Sequence, residues 1–266
     1  MNMLNRLFYS SILFPILVLI SCSQNEVTTG IQREYYADGT LKTERTMKDG
    51  VEFGPTKNYN YEGKLVKSVD YVNGIIDGKS VTYNPKTGRR IMSVSYKNAI
   101  QDGPFLQYYV DGTVYREMNY LKGKGEGIFK AYWPNGKIKA SCPYHCGFPG
   151  IGLQEWDESG TLIIQPFIVV EKINQLALLN TYMLKIKISN KTDKVRYYYD
   201  NLIDGKYLPW GVSRIVSNNG ELVLQYQVLR GVIEIKNIGI VAKVKTDFGS
   251  ELILRKNISF TINNAF

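Results

Sequence analysis

Two cysteines and a histidine near the middle of the chain are the residues best equipped for chemistry. Cys142, His145 and Cys146 place two thiols and an imidazole within five residues. Such groups can form a disulfide, remain free thiols or bind a metal ion. A bridge between cysteines this close needs a turn, because their Cα atoms must come within about 7 Å, and Pro143 and Gly147 favour one. We predict a Cys142–Cys146 disulfide, with free thiols or a metal site that includes His145 as the alternatives.

Catalytic motifs are not evident around this histidine, which is the only one in the chain. No Ser, Asp or Glu stands at a spacing typical of a catalytic triad. The sequence also lacks a phosphate-binding glycine loop, a dinucleotide fingerprint and a His-rich metal motif. Carboxylates such as Asp157 and Glu158 stand in a turn, where solvation explains them. We therefore predict a protein that is not an enzyme and that uses no cofactor or metal; a carboxylate pair formed by the fold is the alternative.

The third cysteine, Cys22, stands at the end of an N-terminal targeting segment. Arg6 precedes an uncharged run from Leu7 to Ile20, which is shorter than the roughly 20 residues that span a bilayer. A charged start and a short apolar core are typical of a secretory signal peptide. The sequence Leu19-Ile20-Ser21-Cys22 resembles the bacterial lipobox. This resemblance implies cleavage before Cys22 and acylation of its thiol, for example with palmitate.

The lipobox also implies a compartment. Ser23, rather than Asp, follows the acylated residue, which in Gram-negative lipoproteins implies an outer-membrane location in the cell envelope, facing the periplasm or the cell surface. Two or three acyl chains anchor stably, because each buried methylene contributes about 0.8 kcal/mol. A plain signal peptide with an incidental Cys22 is the alternative. Export favours the predicted disulfide, since disulfides persist outside the cytoplasm. We assign residues 1–21 to the signal peptide and residues 22–30 to a tether.

The positive charge of the chain is concentrated in its C-terminal part. Residues 23–165 contain 18 Lys and Arg against 16 Asp and Glu, and residues 166–266 contain 14 against 8. A basic exported domain can meet anionic lipid, lipopolysaccharide or polysaccharide. A basic surface that binds no specific anion is the simpler interpretation. The predicted compartment argues against nucleic acid as a partner.

Glycines recur at intervals of 24 or 25 residues through the first half of the chain. They are Gly39, Gly63, Gly88, Gly112, Gly136 and Gly160. Asp-Gly and Asn-Gly pairs fill two-residue hairpin turns in which both residues need positive φ. An aromatic residue precedes each glycine by four residues, or by five in the 25-residue unit; these are Tyr35, Tyr59, Tyr83, Tyr108, Tyr132 and Trp156. Each unit is predicted to be a strand, a tight turn, a strand and a longer glycine turn.

The predicted longer turns form a second series, which we call the second register, and they alternate along the chain with the glycine turns of the first register. They are marked by Gly50, Gly74, Ala99, Gly123 and Gly147, and an aromatic residue or Met stands three residues earlier, at Met47, Tyr71, Tyr96, Tyr120 and Tyr144. Strands of five to seven residues with alternating character, such as Lys137-Ile138-Lys139-Ala140, imply one packed and one solvated face. Consecutive hairpins of this kind predict an elongated, twisted antiparallel sheet.

This pattern resembles the MORN-repeat family in its bacterial type-2 variant. The clearest copies are residues 35–54, 59–78, 108–127 and 132–152, and we assign residues 31–165 to a MORN-like domain. The resemblance implies a scaffold that mediates protein association. Relatives are also labelled antitoxin-like, but a cytoplasmic antitoxin conflicts with the lipobox at Cys22.

Some aromatic residues are candidates for contact with a partner. The tyrosine that recurs in every unit is expected to hold the sheet together through cross-strand pairs. Its neighbours Tyr36, Tyr61, Tyr109 and Trp133 vary more between units, so we predict that they form a contact surface. Trp210, in the C-terminal part, is either a core residue or an exposed contact.

The C-terminal hundred residues follow a different pattern. Short β-branched segments alternate with turn signals; examples are residues 183–188, 221–226, 232–235, 240–244, 251–254 and 258–262. About seven strands in residues 166–266 predict a β-sandwich, with an immunoglobulin-like arrangement as one form. The segment from Glu171 to Tyr182 can hold a short helix. The whole exported chain is thus predicted to be all-β.

These features predict a lipid-anchored envelope scaffold or protein-binding module. Its expected partners are the membrane, through Cys22, and another envelope protein. A glycan- or lipopolysaccharide-binding protein is the first alternative, because of the aromatic residues and the basic C-terminal part. An antitoxin-like protein, as the family label suggests, is the second.

Overall fold

The computed structural model describes residues 28–265, and it is nearly all β. The predicted signal peptide, Cys22 and most of the tether lie outside the described residues. The N-terminal half forms one antiparallel sheet in which every strand pairs with the next along the chain, and the last strand pairs with β10. Its strands are β1 (Gly30–Tyr35), β2 (Leu41–Lys48), β3 (Val51–Tyr59), β4 (Leu65–Val72), β5 (Ile75–Tyr83), β6 (Arg90–Lys97), β7 (Ile100–Tyr108), β8 (Val114–Leu121), β9 (Lys124–Tyr132), β10 (Ile138–His145), β11 (Phe148–Pro149) and β12 (Gln154–Glu155).

The tight turns of this repeat sheet fall in the second glycine register, not in the first. Asp49 and Gly50 both have positive φ, 50° and 80°, and join β2 to β3 as a two-residue turn. In the first register Gly39 has φ 85°, within a five-residue loop in which the Tyr36 N–H donates to the Thr40 carbonyl. The predicted order of tight and longer turns was therefore wrong. Asp-Gly also suits a type I turn followed by a glycine in the left-handed region.

The strands alternate their side chains between two faces of the repeat sheet. Val69, Ser80 and Val94 are successive partners across β4, β5 and β6, so they share a face. Tyr71 and Tyr96 lie two residues further along their strands and share it too. We call this the aromatic face. The tyrosines that precede the tight turns thus form part of the packed face, as the alternation predicted.

The C-terminal half forms two smaller sheets that pack on each other. One has the order β13-β14-β17 and the other β16-β15-β18-β19. Their strands are β13 (Ile168–Gln175), β14 (Thr181–Ile188), β15 (Val195–Tyr199), β16 (Arg214–Ile215), β17 (Leu222–Gln227), β18 (Val232–Lys245) and β19 (Glu251–Asn264). Leu184, Ile186 and Leu222 of the first sheet and Ile240 and Ile262 of the second have no exposed surface and belong to one apolar cluster.

The strand order of this sandwich is immunoglobulin-like. Lettered A to G in chain order, the seven strands form an A-B-E sheet and a D-C-F-G sheet. Immunoglobulin domains place A, B and E in one sheet and C, F and G in the other. The fourth strand here pairs with C instead of E. The predicted all-β fold, with a hairpin-repeat sheet followed by a sandwich, is confirmed.

One local prediction in the sandwich was wrong, and another, the short helix, was confirmed. The segments 232–235 and 240–244 are parts of one strand, β18, which pairs along its full length with β19. The segment from Glu171 to Tyr182 is mostly strand, and its helix α1 (Leu176–Leu179) has only four residues. Pairing with β19 continues the strand through the polar residues between segments 232–235 and 240–244. The helix α1 has no side-chain cap and extends for a single turn. Among the described residues, no helix is long and apolar enough to cross a membrane.

The repeat sheet and the sandwich are joined by specific contacts. Backbone hydrogen bonds run from the Leu208 N–H to the Pro149 carbonyl and from the Ile151 N–H to the Lys206 carbonyl. A loop of the sandwich therefore continues the hydrogen bonding of the repeat sheet. Ala140 and Cys142 of β10 also belong to the apolar cluster of the sandwich core. The division between residues 165 and 166 stays a prediction.

A buried carboxylate reinforces this junction. Glu155 is 1% exposed. Its Oε1 accepts a hydrogen bond of 2.8 Å from the Thr246 hydroxyl of the sandwich, and its Oε2 accepts one of 3.3 Å from the Gln165 amide. The bond from Thr246 ties the repeat sheet to the sandwich, whereas Gln165, which precedes the first strand of the sandwich, binds the second oxygen of the buried carboxylate.

Candidate functional site

The structure separates the two cysteines that were predicted to pair. Cys142 and Cys146 are both free thiols. Cys142 lies inside β10, and Cys146 is the first residue of the tight turn that follows. Four residues of extended strand span about 13 Å, roughly twice the Cα separation that a disulfide allows. The disulfide prediction was wrong because Pro143 continues the strand, so that the turn begins at Cys146 instead of lying between the cysteines.

Cys142 is a core residue. Its side chain is 5% exposed and packs in the apolar cluster that the repeat sheet shares with the sandwich. Burial raises the pKa of the thiol to about 11. A buried thiol that stays protonated is a poor nucleophile and a poor metal ligand. We therefore assign Cys142 a structural role.

Cys146 has very different surroundings, at the end of the sheet. Its Sγ lies 3.6 Å from His145 Nε2, and Nδ1 of the same ring lies 2.8 Å from Glu126 Oε1. Glu126 Oε2 accepts the backbone N–H of Cys146 at 3.0 Å. This N–H, followed by the His145 ring, holds the pKa of the Glu126 carboxyl below its usual value. A thiol, an imidazole and a carboxylate are thus aligned on one partly exposed turn.

A cleft of about 400 Å³ opens beside this cluster. Cys146, Tyr120, Tyr144, Phe148 and Trp210 are among its lining residues. Trp210 is 70% exposed, and its ring centroid lies 6.5 Å from that of Phe148. Of the two roles predicted for Trp210, the structure favours the exposed contact.

The other predicted contact residues mostly serve the repeat itself. The Tyr36 hydroxyl donates to the Tyr59 carbonyl at 2.8 Å, and the Tyr109 hydroxyl donates to the Tyr132 carbonyl at 2.7 Å. The Trp133 indole N–H donates to the carbonyl of the aromatic residue in the next unit at 2.9 Å. Each of the three is half-buried and links one repeat to its successor, so they do not form a free surface.

Tyr61 is the exception among these residues. It is 71% exposed, and its ring stacks on Tyr36 with a centroid separation of 4.0 Å. Units without the bonded aromatic close their loops differently. Asn60 Oδ1 accepts two backbone N–H groups of its own loop, and Asn84 Oδ1 does the same. The variation that suggested a contact surface thus reflects two ways of closing one loop.

Sequence reasoning missed a row of exposed aliphatic side chains beside the tight turns. We call it the aliphatic row; it consists of Val51, Val72, Ile75, Ile100 and Leu121, each 40–51% exposed. All five flank a tight turn, and Val72 and Ile75 are direct partners across one. They alternate with the tyrosines of the aromatic face and so lie on the opposite face. Their equal spacing from the tight turns would have identified them.

Lysines flank the aliphatic row. Lys48 is the partner of Val51 across its turn, and Lys97 is the partner of Ile100. Lys124 is likewise the partner of Leu121. The strand ends at the tight turns therefore present five apolar and three positively charged side chains on one face, and Lys97 separates the apolar positions into two groups.

Comparison with known families agrees with the architecture. The family described as MORN repeat variant matches residues 28–49 and 125–145. The first match covers β1, β2 and the first residue of the tight turn after them, and the second covers most of β9 and all of β10. No curated protein matches the chain. The two matches cover well under half of the chain, and they identify MORN-type repeat units, which favour a repeat-based protein-binding or membrane-associating module.

Proposed function

We propose that this protein is a bacterial envelope lipoprotein, tethered through lipid on Cys22, whose repeat sheet binds another envelope protein. It acts by binding and not by catalysis. The aliphatic row is the observation that carries the proposal. Five half-exposed aliphatic side chains in neighbouring repeats share one face of the sheet, and a group of apolar side chains on a surface is typical of an interaction site.

The spacing of the aliphatic row suits an elongated partner. Equivalent positions in consecutive repeats are two strands apart, which is about 10 Å. From Val51 on β3 to Leu121 on β8 the row crosses five strand spacings, about 24 Å in total, which is the length of an amphipathic helix of roughly 16 residues. The flanking lysines favour acidic residues beside the apolar stripe of that partner.

A protein partner fits the row better than a lipid surface does. Trp and Tyr, the residues enriched at membrane interfaces, are absent from the row. The residues of the aliphatic row are Val, Ile and Leu, and about half of each side chain is already covered by neighbours. Such shallow aliphatic side chains complement a second packed surface.

The length of the tether limits how far from the membrane the repeat sheet and its aliphatic row can lie. Eight residue steps from Cys22 to Gly30 span at most about 28 Å, so β1 is the strand held nearest to the membrane. Eleven strands spaced at about 4.8 Å place the junction with the sandwich roughly 50 Å from β1. The repeat sheet then serves as an arm that carries both the aliphatic row and the sandwich.

Charge substitution in the row tests the proposed binding. The double variant Ile75→Asp and Ile100→Asp should lose a partner that co-purifies with the native protein from cross-linked, gently solubilised membranes. The matched control is Val110→Asp, which changes a 74% exposed aliphatic in a first-register loop, away from the tight turns. Equal recovery of the same partner by all three proteins would refute the assignment of the row.

The tether is tested separately. Cys22→Ala should release the protein from membranes and abolish incorporation of labelled palmitate, since the thiol that carries the lipid is lost. Membrane association and labelling that survive this substitution would contradict the lipoprotein proposal but leave the aliphatic row untouched.

Glycan binding is a second candidate because of one observation. Tyr61 lies stacked on Tyr36 and presents an open ring face, which suits stacking against a sugar. Tyr61→Ala should then weaken binding to lipopolysaccharide or glycans on an array, whereas the aliphatic-row variant should not. The absence of any glycan binding by the native protein at low salt would remove this candidate.

A further inference from the structure

The Glu126–His145–Cys146 cluster arises from a tie that the repeat uses elsewhere. Asp77 Oδ2 accepts the backbone N–H of Asn98 at 3.2 Å, and Asp102 Oδ2 accepts that of Lys122 at 3.2 Å. In each case an acidic residue holds the first residue of the next tight turn. Glu126 makes the same contact with the N–H of Cys146 at 3.0 Å. The repeat therefore fixes a carboxylate against every one of these three turns.

The last of these turns differs in the side chains around that carboxylate. The position before the turn is Lys97 or Leu121 in the two preceding units, and it is His145 here. The first turn position is Asn98 or Lys122 there, and it is Cys146 here. The acidic residue is also longer, Glu instead of Asp, so its second oxygen reaches the His145 ring. Only this turn combines a soft sulfur donor, an imidazole and a carboxylate among the three.

The distances within the cluster suit a metal ion. Zn–N bonds of about 2.0–2.1 Å and a Zn–S bond of about 2.3 Å, at a tetrahedral angle, place the two donor atoms about 3.6 Å apart. His145 Nε2 and Cys146 Sγ are 3.6 Å apart. The ligand atoms of these two residues and of Glu126 all lie within 4.8 Å of one another. The separation of the two donor atoms therefore already matches that of two ligands on one such ion.

The carboxylate completes this arrangement. Metal-binding histidines commonly donate their other ring N–H to a carboxylate, which fixes the ring and raises the basicity of the ligand nitrogen. Glu126 Oε1 accepts such a bond from His145 Nδ1 at 2.8 Å. Its other oxygen is held by the Cys146 N–H. Glu126 is thus positioned to orient both ligands.

We propose that Cys146 Sγ and His145 Nε2 bind a thiophilic divalent cation of the Zn²⁺ class, with Glu126 as the orienting carboxylate. Two protein ligands leave two coordination positions of a tetrahedral ion for water or for a group of a bound molecule. The cleft beside Cys146, walled by Phe148 and Trp210, gives access to these positions. The site lies where the repeat sheet meets the sandwich, and it does not depend on the lipid tether or the aliphatic row.

Cobalt binding tests the site directly. The protein is the full chain carrying Cys22→Ser, reduced and kept in detergent, so that Cys142 and Cys146 are its only thiols. Titration with Co²⁺ should saturate at one ion per chain and produce the sulfur-to-cobalt charge-transfer absorption in the near ultraviolet. Added Zn²⁺ should displace the cobalt, and binding should release the thiol proton.

The chain itself supplies conservative variants. Cys146→Asn introduces the residue found at the same turn position at Asn73 and Asn98, with φ near 50° in both, so the turn is kept. It should abolish the charge-transfer absorption. Glu126→Gln should keep this absorption and weaken Co²⁺ binding roughly 10–100-fold. Cys142→Ala, which removes only the buried thiol, should leave both the absorption and the affinity unchanged.

Each contrary result overturns the proposal. Unsaturable cobalt binding, or a charge-transfer absorption that survives Cys146→Asn, would show that this cluster is not the site. Loss of the absorption in Cys142→Ala would place the sulfur ligand in the core instead. Unchanged affinity in Glu126→Gln would remove the orienting role of the carboxylate.

Discussion

The repeat sheet and the sandwich reach a folded state by different means. The sandwich encloses a core in which Leu184, Ile186 and Leu222 have no exposed surface. In the repeat sheet most side chains are only half-buried, and contacts run mainly between neighbouring strands. Hydrogen bonds that repeat every unit, such as the one from the Tyr109 hydroxyl, supply part of its order. Burial of apolar side chains therefore stabilises the sandwich, whereas hydrogen bonds that recur from repeat to repeat stabilise the repeat sheet.

The same substitution in the two halves tests this contrast most strongly. Val244 of the sandwich and Val69 of the repeat sheet are both buried, at 2% and 3% exposure. We expect Val244→Ala to cost about 2–3 kcal/mol and Val69→Ala about 1 kcal/mol, because the open sheet can close over the lost methyl groups and the sandwich cannot. Urea unfolding followed by hydrogen exchange in β18 and β4 would measure both, and equal costs would contradict the contrast.

The second largest effect on stability is expected from a substitution at the junction between the repeat sheet and the sandwich. Glu155→Ala removes the carboxylate that accepts the hydrogen bond of the part-buried Thr246 hydroxyl, and loss of a hydrogen bond to a charged group should cost about 1–3 kcal/mol. It should also uncouple the two halves, so that their thermal transitions separate. Glu158→Ala, in the neighbouring turn, is the matched control and should change neither property. A single unaltered transition in the Glu155 variant would show that the junction is held by other contacts.

The repeated aromatic ties should have a smaller effect, confined to the repeat sheet. Tyr109→Phe removes the hydroxyl that donates to the Tyr132 carbonyl, and we expect a loss of about 1 kcal/mol. Tyr61→Phe removes an exposed hydroxyl and should be neutral. Hydrogen exchange of β7 and β9 would report the loss. If both variants behave alike, the tie between repeats does not contribute to stability.

One substitution should strengthen the repeat sheet slightly. Ala99 has φ 62° in a tight turn whose equivalents contain glycine at that position. Ala99→Gly removes the strain of an alanine in the left-handed region, which stabilises the folded state by about 1–2 kcal/mol. The glycine also increases the conformational entropy of the unfolded chain, which lowers stability by about 0.4–1 kcal/mol. A net gain of about 0.5 kcal/mol is expected in the unfolding free energy. Destabilisation would mean that the alanine side chain has a packing role.

The repeat sheet was predictable because its pairing is local. Glycines at intervals of 24 or 25 residues mark most of the turns, and each strand from β1 to β10 pairs with the next one along the chain. The turn types were not predictable, because Asp-Gly suits more than one hairpin. Three of the true tight turns carry unusual pairs, Asn98-Ala99, Lys122-Gly123 and Cys146-Gly147.

The sandwich was predictable only as a class. Its pairing joins residues far apart in sequence, and alternation in single segments does not show which strands meet. The segments 232–235 and 240–244 were predicted as separate, but Asn237 and Gly239 between them lie inside β18, opposite Ser259 and Asn257. Pairing with a partner strand overrides local preference there.

Two of the three residues of the candidate metal site could be identified from the sequence. His145 and Cys146 stand side by side, but the third group is 19 residues earlier. Aligning Glu126 with Asp102 and Asp77, one and two repeats before it, would have placed a carboxylate beside this turn. The buried position of Cys142 was not predictable, since it depends on the sandwich packing against β10.

Site-specific photo-cross-linking tests the proposed binding role most directly. A photoreactive residue would replace Ile100 in the aliphatic row or, as the control, Val110 in a first-register loop, in cells that express the lipidated protein. We predict one discrete cross-linked envelope protein from position 100 and none from position 110. No product from position 100, or the same products from both positions, would contradict the account of the repeat sheet as a protein-binding arm.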